Sequence, residues 1–277
     1  PTLGKHPIHK VTAIKAIDAI NPIAAKGSLE TVKRLCQRLN EIMLYAVNVG
    51  LINANPLTGI SKAFQNPVKR HLPTLKPEQL PELMAALSIA SIKITTRCLI
   101  EWQLHTMVRP SEAAGARWDE IDLEQKLWKI PAERMKKKKS HTVPLTSQSI
   151  ALLERMTPIS SKSKFVFPSD RHFNKHINPS TANVALKRMG FGGQLVAHGL
   201  RSIASTTLNE QAFDADIIEA ALAHVGDNEV RSAYNRSEYI KRRIPMMGWW
   251  SEHIEQSATG NMSLTSKKNL SLVRVAS

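Results

Sequence analysis

The second half of the chain contains a small set of side chains suited to chemistry at a phosphodiester. They are Arg109, Lys136, His198, Arg201, His224 and Tyr234. A guanidinium can hold two phosphate oxygens at once, a histidine can carry a proton, and a phenol can attack phosphorus. Taken together, their types and order predict cleavage and rejoining of a DNA strand through a phosphotyrosine.

The two arginines occur in helical contexts that suit phosphate binding. Arg109 ends an apolar stretch, and Pro110 favours the start of a new helix. Glu112, one turn further on, is expected to orient the Arg109 guanidinium. His198 and Arg201 are three residues apart, which puts both on one helix face. Alone, Arg109 is more typical of a structural cation at a helix end than of a catalytic group, and a lone His-x-x-Arg spacing is common. The prediction therefore depends on their combination.

Tyr234, ten residues after His224, is one of only three tyrosines in the chain, and read in isolation it is more typical of an amphipathic packing residue than of a nucleophile. A phenol has a pKa near ~10, so attack at neutral pH requires a base or a strong positive field. Arg109 and Arg201 would supply the field, and His198 is the candidate base.

A run of four consecutive lysines, Lys136 to Lys139, follows Arg134 and Met135. One lysine of such a run can act as the general acid that protonates the departing 5′ oxygen. The others would contact backbone phosphates. Residue chemistry alone leaves the choice among Lys136, Lys137, Lys138 and Lys139 open.

The composition favours a polyanionic partner, because the 277-residue chain has a formal net charge of +15. Double-stranded DNA is the expected partner. Cys36 and Cys98 lack a neighbouring Cys/His cluster, which argues against a zinc site and a disulfide framework and favours a reduced, cytosolic compartment. No apolar run reaches transmembrane length, so no membrane partner is expected.

The chain divides into four expected segments within a mainly α-helical fold that includes a small antiparallel β-sheet. Residues 1–64 form a small basic helical unit, in which Lys33 and Arg34 either contact DNA or belong to a solvated face. Residues 65–75 are proline-rich and basic, as in a linker. Residues 76–255 are mostly helical, with short strands between residues 118 and 145. Residues 256–277 form a flexible Ser-, Thr- and Lys-rich tail.

Four segments resemble the motifs of tyrosine recombinases, the phage integrase family, and especially P4-like integrases. They are VRPSEAAGARWDEID, WKIPAERMKKKKSHTVPLT, AHGLRSIAST and LAHVGDNEVRSAYNR. The resemblance runs from about Leu3 to Ile254. Counting back from the Val-Pro-Leu segment puts the family's lysine on Lys136, and counting forward from His224 puts its nucleophile on Tyr234. Glu112 occupies the family's acidic position.

The resemblance implies a role for each residue. Arg109 and Arg201 grip the scissile phosphate while Tyr234 attacks and becomes joined to the 3′ phosphate. Lys136 protonates the 5′ oxygen, and His198 handles the tyrosine proton. His224 hydrogen-bonds the phosphate. The bond energy is kept in the phosphotyrosine, so no metal or other cofactor is expected.

The resemblance also implies an organisation and a setting. Residues 1–64 correspond to most of a core-binding domain and residues 76–255 to the catalytic domain. An arm-binding domain normally precedes them, so the chain is expected to be truncated at its N-terminus. Self-association on paired DNA sites and a location at the bacterial nucleoid are expected, with a role in integrating or excising a mobile element.

Three other functions are compatible with parts of the pattern. A type IB topoisomerase has a nearly identical site, but the helical segment ahead of the catalytic part argues against it. A non-enzymatic DNA-binding remnant would keep the charge without needing Tyr234, Arg109 and Arg201 together. A metal-dependent nuclease requires a carboxylate cluster, which the sequence does not provide.

Overall fold

A computed structural model describes residues 3–68, 72–224 and 239–258 of the protein. The chain forms two compact units, Pro1–His71 and Leu72–Ser277, each with its own hydrophobic core. The larger unit is mainly helical and contains one three-stranded antiparallel sheet. The predicted fold class is therefore confirmed. In the described part of the chain, no helix has both the length and the apolar character needed to cross a membrane.

The first unit is built around two helices, α1 (Ala13–Ala25) and α2 (Leu29–Asn48), flanked by 3₁₀ helices at Ile8–Lys10 and Ile60–Ala63. Apolar residues recur along α2 at helical spacing, so one face of α2 packs on α1 and the opposite face is charged. The core of this unit is a cluster of buried residues, Val11, Ala16, Ile20, Val32, Cys36, Met43, Leu57 and Ile60.

Helices surround the core of the second unit. They are α3 (Leu80–Ile89), α4 (Ile94–Thr106), α5 (Pro110–Ala114), α6 (Ser147–Ser160), α7 (Thr181–Leu186), α8 (Gly199–Glu210), α9 (Ala215–Ala221) and α10 (Ile240–Ser257). Short 3₁₀ helices lie at Pro77–Gln79, Trp118–Glu120 and Ala132–Arg134, and a π-helical turn spans Lys187–Phe191.

Helix α4 is the centre of this unit, since almost every residue from Thr95 to Thr106 is buried. It contacts α5, α6, α7, α8 and α10. Trp102 on α4 packs against Trp128 with ring centroids 5.0 Å apart, which fixes the sheet to the central helix. Met107 ends α4 in the left-handed region at φ 55°, and this turn directs the chain toward Arg109.

The sheet has the order β1-β2-β3, with strands Ile121–Asp122, Leu127–Ile130 and His141–Pro144. Strands β2 and β3 are antiparallel, and Ile130 pairs with His141 at the end of the ladder. Trp128 and Ile130 face the core while Lys129 is exposed, as expected for one buried face. The lysine run lies in the β2–β3 connection rather than within a strand.

Two residues at the edges of the expected segments are buried. Leu75, at the end of the expected 65–75 linker, lies in the core of the second unit. Its neighbour Thr74 donates a hydrogen bond to the Gly199 carbonyl at 2.9 Å. At the other end, α10 continues to Ser257 and Ala258 is buried, beyond the expected boundary at residue 255.

Gly199 allows the close approach between α8 and the segment at Pro73. A Cβ at this position would lie 2.6 Å from the Pro73 carbonyl oxygen and 3.2 Å from the Thr74 Cα. We expect Gly199→Ala to destabilise the protein by about 1–3 kcal/mol, because backbone on both sides must move. Thermal unfolding followed by circular dichroism measures this effect.

Gly248→Ala is the matched control, since Gly248 lies inside α10 and nothing lies within 4 Å of its added Cβ. Alanine is the better helix former, so this variant should unfold at the wild-type temperature or slightly above it. Equal melting temperatures for both variants would show that the contact at Gly199 does not restrict the packing.

Candidate active site

Arg109 lies at the N-terminus of α5, where Glu112 holds it at two points. Glu112 Oε1 is 3.0 Å from Arg109 Nη1, and Glu112 Oε2 accepts a hydrogen bond from the Arg109 backbone N–H at 2.9 Å. Glu112 is only 1% exposed. The buried carboxylate contacts both the guanidinium and the backbone N–H of Arg109. These two contacts restrict the direction of the guanidinium before any ligand binds.

Arg201 is buried on α8 and bridges two other segments. Its Nη1 donates to the Met107 carbonyl at 2.5 Å, and its Nη2 donates to the Leu222 carbonyl at 2.6 Å. The first bond depends on the left-handed turn at Met107, which presents that carbonyl to the guanidinium. Burial, followed by the positive charge of Arg109, lowers the pKa of Arg201 to about 10, which leaves it charged at neutral pH.

His224 follows the C-terminal end of α9 and contacts Arg201 directly. Its Nε2 lies 3.2 Å from Arg201 Nη2, and its Nδ1 lies 2.8 Å from Glu219 Oε2. Because a guanidinium can only donate, Nε2 accepts this bond, and the proton of the neutral imidazole is on Nδ1. Glu219 therefore orients His224, a contact that the sequence analysis did not anticipate.

His198 is the N-cap residue of α8, and its side chain is exposed. Partial desolvation lowers its pKa, and the positive charges of Arg201 and Arg109 lower it further. His224 and Lys136 also contribute to this shift. A lowered pKa keeps the imidazole neutral near neutral pH, which is the form that accepts a proton.

The lysine run is exposed, and it begins immediately after the buried Met135. The Lys138 N–H donates to the Met135 carbonyl at 3.1 Å, which makes a tight turn with Lys138 at φ 53°. Lys136 is the lysine of this run whose charge contributes to the lowered pKa of His198. Lys136 as the catalytic lysine stays a prediction.

His141, at the start of β3, is a buried residue that the sequence analysis did not single out. Burial lowers its pKa to about 3, assisted first by the charge of Arg243 and then by that of Arg201. The backbone of Ala221, three residues before His224, partly opposes this shift. The only feature of the sequence that could have indicated His141 is its position two residues before the Val143-Pro144-Leu145 segment.

Lys33 and Arg34 lie on α2 in the other compact unit, exposed, with Arg34 Nε 3.4 Å from Glu30 Oε1. Tyr234 lies outside the described residues. Among those that are described, no three His, Cys, Asp or Glu side chains group as metal ligands.

The arrangement concentrates positive charge at one place. Arg109 and Arg201 come from α5 and α8, His198 and His224 from the ends of α8 and α9, and Lys136 from the β2–β3 connection. Their only buried carboxylate partner among the contacts described above is Glu112. Two adjacent guanidinium groups repel each other, and an anionic ligand between them would relieve that repulsion. The site is therefore suited to a phosphate.

Comparison with known proteins identifies the family. Residues 73–240 match the phage integrase family, and residues 1–63 match the phage integrase central domain. The chain is 52% identical to the prophage integrase IntA of Escherichia coli (strain K12), over 99% of this chain and 66% of that protein. It is 34% identical to the integrase of Enterobacteria phage P4, over 95% of this chain and 64% of that protein. The chain belongs to the phage integrase family.

The fold is also found among solved structures. A lambda integrase fragment, residues 75–356, bound as a dimer to a COC′ core site matches with a TM-score of 0.63 at 17% identity. The match covers 86% of this chain and 83% of that one. At 17% identity, this match shows that the two proteins share a fold. The chain spans slightly less than two thirds of the length of IntA and of the P4 integrase.

Proposed function

We propose that this protein is a site-specific DNA recombinase that cleaves and rejoins strands through a 3′-phosphotyrosyl intermediate, in the integration or excision of a mobile element. The observation that carries the proposal is the grouping of two guanidinium groups and an imidazole. Arg201 Nη2 lies 3.2 Å from His224 Nε2, and Arg109 Nη2 donates at 3.4 Å to the carbonyl of Ala223, the residue before His224. These residues come from three separate segments of the chain. Fixed cations around a phosphate stabilise the charge that develops on phosphorus during attack.

In the proposed reaction, Arg109 and Arg201 bind the non-bridging oxygens of the scissile phosphate. His224 hydrogen-bonds the same group as an imidazolium, donating from Nε2 to a phosphate oxygen in place of its contact with Arg201, while Nδ1–H donates to Glu219. The Tyr234 oxygen forms a bond to phosphorus as the bond to the 5′ oxygen breaks. His198 takes the tyrosine proton, and Lys136 gives a proton to the leaving 5′ oxygen. Attack by a 5′ hydroxyl then reverses these steps, so the bond energy is conserved.

DNA binding is proposed to involve both compact units. Residues 1–64 would act as a core-binding domain through Lys33 and Arg34, joined by residues 65–75 to a catalytic domain at residues 76–255. In the catalytic domain, Lys137, Lys138 and Lys139 would contact backbone phosphates beside the site. The net charge of +15 and the exposure of these lysines support this assignment.

The proposed setting is double-stranded DNA at the bacterial nucleoid, with two or more copies of the chain on paired sites. The dimeric assembly of lambda integrase on a core site supports self-association.

Salt dependence of duplex binding measures the electrostatic part of this proposal, since each neutralised phosphate releases counterions.

The central experiment mixes the protein with nicked duplex DNA in the presence of EDTA. A nick close to the cleavage site lets the short strand diffuse away, so a covalent intermediate accumulates. We expect a protein–DNA adduct that survives a denaturing gel and disappears after protease digestion. Since the target sequence is unknown, the substrate is a pool of nicked duplexes. Cleavage that requires a divalent metal and leaves no adduct would contradict the proposal.

The lowered pKa of His198 predicts the pH dependence of cleavage. At subsaturating DNA, the rate reports groups of the free protein. The neutral imidazole is the active form, so the rate should fall only below the ordinary histidine pKa of 6.5, as His198 becomes protonated. Single-turnover rates from pH 5 to pH 8 test this expectation. His198→Gln should be slow throughout and lack the acid limb, whereas an unchanged acid limb in this variant would assign it to another group.

A further inference from the structure

Arg134 lies between the lysine run and the helix that begins at Arg109. Its Nη2 donates to the Glu112 carbonyl at 2.9 Å, and its Nη1 donates to the Gly115 carbonyl. Both acceptors are backbone groups at the C-terminal end of α5, where helix carbonyls lack partners within the helix. A cation at this end is also favoured by the helix dipole. Arg134 therefore caps the helix whose other end carries Arg109.

The third side of the Arg134 guanidinium faces a buried carboxylate. Arg134 Nε is 2.9 Å from Glu120 Oε1, in a close ion pair whose two side chains are 12% and 5% exposed. Glu120 Oε2 in turn accepts a hydrogen bond from Trp128 Nε1 on β2 at 3.0 Å. The guanidinium thus joins α5, the 3₁₀ helix at Trp118–Glu120 and the sheet.

These contacts lie two residues before Lys136. Met135, between them, is buried in the core, and its carbonyl accepts the turn hydrogen bond from Lys138. Two consecutive anchored residues therefore lead into Lys136, whereas Lys136 itself is exposed. A displacement of Arg134 would be passed directly to the backbone that supports this lysine.

We propose that Arg134 is a positioning residue that holds Lys136 in place for proton transfer, by fixing the β2–β3 connection to the helix that carries Arg109. The inference rests on the proposed function for the role of Lys136. An ammonium group on a flexible four-carbon stem can deliver a proton only if its backbone is fixed relative to the phosphate. Arg134 fixes this backbone relative to α5, which also holds the phosphate-binding Arg109.

The test compares two DNA substrates, one ordinary and one with sulfur in place of the bridging 5′ oxygen at the scissile phosphate. A thiolate leaves without protonation, so a defect in general-acid catalysis slows the ordinary substrate selectively. We expect Arg134→Gln to slow cleavage of ordinary DNA on the order of 10²-fold, as a displaced catalytic group does. The same variant should slow cleavage of the sulfur substrate by a factor that is roughly tenfold smaller, or smaller still. Lys136→Ala provides the benchmark for selective loss.

A second variant displaces the guanidinium without removing it. A Cβ on Gly115 would lie 2.6 Å from Arg134 Nη1, while the φ of −89° at Gly115 is acceptable for alanine. Gly115→Ala should therefore reproduce the selective loss. The double variant with Arg134→Gln should be no slower than Arg134→Gln alone, because both changes break the same contact.

Arg117→Gln is the matched control. Arg117 is also an arginine beside Glu120, with Nε 3.9 Å from Oε1, but no described contact joins it to the lysine run. This variant should slow both substrates equally or not at all. Equal slowing of both substrates by Arg134→Gln would overturn the proposal, since it would indicate only a general structural role. Wild-type rates on both would overturn it as well.

Hydrogen exchange of the DNA-free protein separates this inference from the proposed function. The Met135 and Lys138 amides are hydrogen-bonded, to Ala132 and Met135 respectively. Arg134→Gln should accelerate exchange in the peptide covering residues 132–140, and Arg117→Gln should not. If wild-type protein forms no adduct with either DNA, the proposed function fails, and exchange alone decides whether Arg134 holds this segment. Unchanged exchange would overturn the anchoring.

Discussion

Tyr234→Phe is expected to abolish the covalent protein–DNA adduct while leaving non-covalent DNA binding almost unchanged. The phenol oxygen is the only atom removed, and in the proposed reaction it is the atom that bonds to phosphorus. Binding depends instead on many phosphate contacts spread over a chain with a net charge of +15. Denaturing gels measure the adduct, and fluorescence anisotropy measures duplex affinity, which should change by less than about threefold.

Tyr239→Phe is the matched control for this experiment. Tyr239 precedes α10, and the Arg242 guanidinium lies 5.9 Å from its ring centroid. Phenylalanine keeps a ring for this cation–π contact and removes only the hydroxyl. The variant should form the adduct at the wild-type rate. Loss of the adduct in Tyr239→Phe, with retention in Tyr234→Phe, would move the nucleophile to Tyr239.

Local patterns were sufficient to predict most elements of the fold and one part of the site. Apolar periodicity predicted a helical unit at residues 1–64 and a mostly helical segment at residues 76–255, and the β-leaning pattern between residues 118 and 145 predicted the sheet. The pairing of Arg109 with Glu112 also follows from local geometry, because residues three apart at a helix start can contact one another. Such contacts depend on a few neighbouring residues, which a sequence displays directly.

Contacts with backbone groups distant in sequence were not predictable in this way. The Arg201 guanidinium reaches the Met107 carbonyl, 94 residues earlier in the chain. Arg134 similarly uses carbonyls of α5 that lie 19 and 22 residues before it. Every residue has a carbonyl, so the sequence contains no sign of which one will be used. The sequence pattern pointed to the four-lysine run, whereas Arg134, two residues before this run, makes the structural contacts.

The segment at residues 65–75 shows a related limit of composition. Prolines and basic residues are typical of linkers, and the first part of this segment has no regular secondary structure where it is described. Leu75 nevertheless joins the core, and Thr74 binds Gly199 beside His198. A buried leucine and a glycine that permits close approach are both common residue types. The hydrogen bond between Thr74 and Gly199 forms only when α8 packs against this segment, so neither residue type predicts it.

The two arginines of the site differ in how much each would gain from a bound phosphate, because their charged surroundings differ. Arg109 is balanced by Glu112, whereas the described contacts of Arg201 are two carbonyls and His224. Three of the five N–H groups of Arg201 are used in these bonds, and two remain for a ligand. No described carboxylate forms an ion pair with Arg201, although the charges of Glu112 and Glu219 act on it. This buried guanidinium therefore gains most from a bound phosphate.

Arg201→Lys is therefore expected to slow cleavage by about 10²–10³-fold although the charge is kept, in the range found when one fixed donor to a transition-state oxyanion is lost. A lysine has a single nitrogen, so it cannot span the carbonyls of Met107 and Leu222 and also hold two phosphate oxygens. Single-turnover adduct formation at saturating DNA measures the loss. Arg242→Lys is the control, because Arg242 is exposed and pairs with Asp214 at 2.8 Å, a contact worth little in water. Cleavage by Arg201→Lys within about threefold of wild type would show that the positive charge at this position is sufficient and the planar fork is not required.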